Sequence, residues 1–122
     1  MIHVVVTSMP HLLSDERAAK LGPFLQAIVA TAFDVPHDAS AAVRKNDVSV
    51  VLQEYGRGTN IPAVEILVRV PDHPLRRKNL ASRLNTIAEA LRAYPDMPSS
   101  TVTGEGQVSV GVEFVQGAAI RF

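Results

Sequence analysis

The groups in this chain best suited to holding an anionic substrate are its basic side chains at turns and helix starts. Arg76-Arg77-Lys78 opens a helical stretch. Backbone N–H groups and three cations there could form an anion site, or the three could be a solvated helix face on which cations oppose the helix dipole. Arg57 stands between Gly56 and Gly58, where the backbone can come close to a ligand or simply turn. Arg44 precedes Lys45 in a polar connector. His3, His11, His37 and His73 lack the spacing of a metal site, and no Gly-rich phosphate loop, nucleophile elbow or paired-carboxylate signature is present. No metal and no cofactor is expected.

The elements that must position these groups come from a chain of 122 residues, the size of one domain. Such a chain buries roughly two-thirds of the surface its unfolded form exposes, enough for a hydrophobic core. Twelve Lys and Arg balance twelve Asp and Glu, which argues against a dedicated nucleic-acid binder. With no cysteine, disulfide scaffolds and Cys-ligated metal centres are excluded. No apolar run approaches the ~20 residues of a membrane span, and no secretory signal pattern opens the chain, so a cytoplasmic protein without membrane association is expected.

The order reads strand, helix, strand, twice over: an α/β chain of duplicated βαβ units (βαββαβ), in halves of about 1–58 and 59–122. The spacing predicts strands at Ile2–Thr7, Val48–Tyr55, Ala63–Val70 and Val108–Val115. In the first helix Leu21, Leu25, Ile28 and Ala32 share a face, with Ser14 as N-cap and Asp15 and Glu16 in the first turn. Pro23 should either kink that helix or, the reading favoured, mark where its firm part begins after a looser lead-in over 14–21. A helical turn is expected around Ala41. The second helix is expected over Pro74–Ala93, with Leu80, Leu84, Ile87 and Leu91 on one face. An offset of 59 superposes the two helical stripes, and an offset of 60 brings Val48-Ser49-Val50 onto Val108-Ser109-Val110.

Parallel strands within each unit need a crossover helix, so both helices should cover one face of a four-stranded sheet. Alternation selects the face. Val64, Ile66, Val68 and Val70 lie opposite Glu65, Leu67 and Arg69, and Val108, Val110, Val112 and Phe114 lie opposite Ser109, Gly111 and Glu113. The second face is mixed, carrying Val5, Val51 and Leu67 among polar groups, which suits either solvent or the interior of an oligomer. A ferredoxin-like sandwich shares this element order and is the rival fold.

A duplicated βαβ chain whose first strand starts at its first residues resembles the tautomerase superfamily. Of its branches, 5-carboxymethyl-2-hydroxymuconate isomerase is the nearest. Met1-Ile2-His3 before an apolar strand resembles that branch's Met-Pro-His opening. Leu21-Gly22-Pro23-Phe24-Leu25, Ala42-Val43-Arg44 and Val110-Gly111-Val112-Glu113-Phe114 are similar to further segments of it. The resemblance implies a homotrimer with the sheets around a central channel. It also implies proton transfer on a small enolisable oxo acid, with an amino-terminal proline as base and arginine on the substrate carboxylate. Here Ile2 takes the proline's place. Methionine is normally removed only before small residues, so the Met1 amine is the expected base, one residue further out. α-Amino groups titrate close enough to neutrality for that task. Ile2, Arg44 and Arg57 are the residues expected around a small carboxylate ligand. A non-catalytic, acid-binding or purely structural relative is the alternative.

Overall fold

Period-two alternation of branched apolar residues builds a sheet with one dry face. The computed structural model describes residues 1–56, 63–94 and 108–115. The strands are β1 (Ile2–Ser8), β2 (Val48–Glu54), β3 (Val64–Pro71) and β4 (Val108–Val115). Helix α1 (Asp15–Phe33) connects β1 to β2, while α2 (Pro74–Lys78) and α3 (Leu80–Arg92) lie between β3 and β4. The sheet order is β2-β1-β3-β4. β1 runs parallel to β2, β3 parallel to β4, and β1 antiparallel to β3. A ferredoxin-like fold splits its βαβ units by placing another strand between the two. Adjacent β1 and β2 exclude that rival.

The dry face carries Ile2, Val4 and Val6 of β1 and Val64, Ile66, Val68 and Val70 of β3, all buried. They pack against Leu21, Leu25, Val29 and Phe33 of α1 and Ile87 and Leu91 of α3. Each such side chain removed from water contributes roughly 1.5–3 kcal/mol. The helix stripe differs in detail from the expected one. Val29, Ala30 and Phe33 are buried where Ile28 is only partly so, and Leu80 and Leu84 sit at the core's margin.

Helix α1 is continuous through Pro23, contrary to the expected loose lead-in. Ser14 caps it, its Oγ accepting from the Arg17 N–H at 3.2 Å. An interior proline costs ~3 kcal/mol. Leu21 and Leu25, on either side of it, are both fully buried on the sheet, and their burial outweighs that cost. Pro23 and Ala19, whose carbonyl loses its partner, are exposed, so water can satisfy the orphan.

The second helix is two pieces, broken at Asn79 (φ −107°, ψ 24°). Pro74 occupies its first turn, the position a proline tolerates best. Phe24 of α1 meets Tyr94, just beyond the end of α3, with ring centroids 4.3 Å apart. The connector between α1 and β2 has no helical turn at Ala41. A compact loop over 35–41 is closed by Ala41 N–H to Asp38 O and Val35 N–H to Ala41 O, and the single helical turn falls at Lys45–Asp47.

Three rows cross the open face of the sheet. The first is Ser49, His3, Arg69 and Glu113, the second Val51, Val5, Leu67 and Gly111, the third Gln53, Thr7, Glu65 and Ser109. The outer rows are internally bonded: His3 Nδ1 to Ser49 Oγ at 2.7 Å, Arg69 to Glu113 at 3.5 Å, Gln53 to Thr7 at 3.0 Å. The middle row is apolar, and Val51 is 55% exposed.

Candidate functional site

At the start of β1 lies a cavity of about 360 Å³, lined by Met1, Ile2, Ser40, Ala41, Ala42, Val43, Asp47, Pro71 and Arg76. It gathers the first residues of β1, the connector after α1, the end of β3 and the start of α2. The βαβ pairing makes this convergence, because Ile2 pairs with Val48 just after the connector, and His3 pairs with Arg69 just before the end of β3.

Met1 is largely exposed at the cavity, whereas the Ile2 side chain is buried in the core beneath it. Arg44 is exposed beside the cavity, next to its lining residue Val43, and its backbone N–H donates to Asp47 at 2.9 Å. Arg57 lies outside the described residues, as do the 104–106 segment and the chain's last residues. Met1 and Ile2 are thus brought to one cavity, and Arg44 to its side.

The Arg76-Arg77-Lys78 cluster divides: Arg77 and Lys78 are exposed, as a solvated face requires, but Arg76 is not. Arg76 is buried at 3% exposure. Its guanidinium donates from Nε to Phe33 O (3.0 Å), from Nη1 to Pro71 O (2.9 Å) and from Nη2 to Ala41 O (2.8 Å). Burial pushes its pKa down, with a smaller push from Arg83, while Asp34 and Asp38 act in the opposite sense. Arg77 is committed too: it grips Asp72 with two hydrogen bonds and lies 4.6 Å over the Phe114 ring. That grip holds the Asp72 carboxyl below the usual range.

The connector wall is braced from several sides. Asp34 accepts from the Val43 N–H, and Asp38 from the Ser40 N–H and Oγ. His73 caps α2 by accepting the Leu75 N–H on Nδ1, which places the ring proton on Nε2, facing Asp38. Arg83 donates to the carbonyls of Ala32 and Asp34. The last turn of α1 has no basic residue of its own, so Arg76 and Arg83 of the second half supply the positive charge its free carbonyls favour. No sequence signal marks these roles, because the acceptors are backbone atoms. Among the described residues no three His, Asp or Glu are grouped to hold a metal ion, and no helix is long and apolar enough to cross a membrane.

The whole described architecture has solved counterparts. The chain is similar to a macrophage migration inhibitory factor-like protein from Entamoeba histolytica, with a TM-score of 0.62 at 9% identity over 95% of this chain and 90% of that one. The fold is the tautomerase fold. Similarity extends to a 5-carboxymethyl-2-hydroxymuconate delta-isomerase (TM-score 0.58, 14% identity, 100% of this chain and 86% of that one). A fused 4-OT protein solved as an asymmetric trimer gives a TM-score of 0.56 at 18% identity over 98% and 91% of the two chains. No protein-family model matches the chain, and no curated protein matches its sequence.

Proposed function

We propose that the Met1 cavity transfers a proton on a small enolisable oxo acid, with the Met1 amine as base and Arg44 holding the substrate carboxylate from the cavity's edge. The observation that carries this reading is the placing of Met1 at a cavity on the tautomerase fold, among Ile2, Ala41, Ala42, Val43 and Pro71. Ile2 holds the terminus by burying its side chain in the core and borders the ligand from below. The amine is one residue further out than a proline nitrogen would be, and a displacement of an ångström costs on the order of a hundredfold in rate. Slow turnover is the expected behaviour.

The working assembly in this reading is a homotrimer. The apolar middle row of the open face, with Val51 more than half exposed, suits burial against other copies. One observation favours the non-catalytic alternative. The only cationic side chain among the described lining residues, Arg76, is spent on three carbonyls, and the other charged side chain there is Asp47.

Steady-state ketonisation of a panel of small enol acids, by wild type and by Ile2→Pro with the terminal mass checked for both, tests the reading. Wild-type turnover, raised in a proline variant that has lost its methionine, is the expected result. An inert wild type beside an active proline variant gives the site to a binding role. Two inert proteins overturn the proton-transfer reading.

A further inference from the structure

Arg76 combines features that a surface arginine at a helix start does not. It is buried, its three guanidinium nitrogens are all spent on carbonyl oxygens, and none of its bonds goes to a carboxylate. Taking a charge out of water is costly, so a charge held in this way stands where three dipoles must be kept together. The three carbonyls come from three separate segments: Phe33 at the end of α1, Ala41 in the connector and Pro71 at the end of β3. Two of those residues, Ala41 and Pro71, line the Met1 cavity, as does Arg76 itself.

We propose that Arg76 is the positioning residue of the Met1 cavity: its planar guanidinium sets the distance between the connector wall and the Pro71 wall, and so the width available to a ligand beside Met1. The inference rests on the reading of that cavity as the reactive site. Every guanidinium nitrogen of Arg76 is anchored on a carbonyl and the residue is only 3% exposed, so it acts through the walls. Lysine cannot replace it, because an ammonium on a single carbon stem lacks the fixed fork that reaches three directions in one plane.

The test compares Arg76→Lys and Arg76→Met with Ile66→Val, a core change that touches none of the three carbonyls. Amide exchange at residues 40–43 and the separate kcat and KM of enol-acid ketonisation are read for each. In Arg76→Lys, exchange at 40–43 is expected to rise roughly tenfold above any change in the strands, since local opening is limited by the contacts of that segment. Its kcat is expected to fall roughly tenfold or more with little change in KM, as a ligand no longer aligned with the base requires. Ile66→Val should show neither selective effect. Exchange that stays unchanged, or rises evenly through the sheet, overturns the proposal. A higher KM at unchanged kcat also overturns it, because that marks a ligand contact. Should Arg76→Met fail to fold, Arg76→Lys carries the measurement. If wild type turns over no acid, the functional reading fails by itself, and the exchange pattern still decides whether Arg76 fixes the walls.

Discussion

His73 and Asp38 are joined across 35 residues, His73 Nε2 lying 2.9 Å from Asp38 Oδ2, so the residue that caps α2 also ties down the connector beside the Met1 cavity. The Asp38 carboxylate accepts two bonds from Ser40 as well, at 2.6 and 3.0 Å. Its pKa is lowered from 3.8 to about 2, first by the Ser40 hydroxyl and then by His73. A carboxylate whose pKa is depressed on folding stabilises the fold above its unfolded value, and that contribution is lost as pH falls toward the folded one. Asp38→Asn is therefore expected to be less stable than wild type at neutral pH, with the difference closing between about pH 5 and pH 1. Denaturant midpoints across that range measure it. A gap that is undiminished at pH 2 contradicts the assignment.

Arg83 holds the carbonyls of Ala32 and Asp34 at 2.8 and 2.9 Å, at the end of a helix with no cation in its own last turn. Arg83→Met keeps much of the apolar stem and removes both bonds. It is expected to cost about 2 kcal/mol, the loss of two bonds from one charged donor, and a denaturant titration reads it.

Tyr55 presents the opposite case. Its hydroxyl is buried with no hydrogen-bond partner among the described residues, and burial, helped by Glu65, pushes the phenol's pKa up. Removing an unsatisfied buried group relieves its desolvation cost, so Tyr55→Phe should gain about 1 kcal/mol in stability. A loss of that size would show that the hydroxyl is bonded in solution.

Much of the architecture could be read from particular residues. The valine alternation of β3 and β4 gave the dry face, and the repeated Val-Ser-Val with the matching helix stripe gave the two βαβ units. Ser14 was legible as an N-cap because the cap is made within one turn of the chain. Pro23 misled, because local propensity favours a break while the burial of Leu21 and Leu25 keeps the helix whole. Arg76 was misjudged for a different reason. Its partners are the carbonyls of Phe33, Ala41 and Pro71, and every residue has a carbonyl, so nothing in the sequence marks those three. Of the cavity, the approach of Met1 followed from β1 starting at Ile2, whereas the bracing of its connector wall depends on side chains that reach across the two halves.

Val51 is 55% exposed in the apolar row it shares with Val5 and Leu67. If copies associate through that row, a charge placed there must be buried without a partner. Val51→Asp is expected to reduce an assembly of three copies to the 13.1 kDa chain. Sedimentation of wild type and variant decides it, and a wild type that sediments as a single chain contradicts the trimer.

The claim at the centre of this account is that the Met1 amine is the base. Its most direct test is the ketonisation rate before and after selective acetylation of that amine, with the modification verified by mass. The account predicts measurable turnover by the free amine and a loss of roughly a hundredfold or more on acetylation, the scale of a removed general base. An acetylated protein that turns over at the unmodified rate would contradict it.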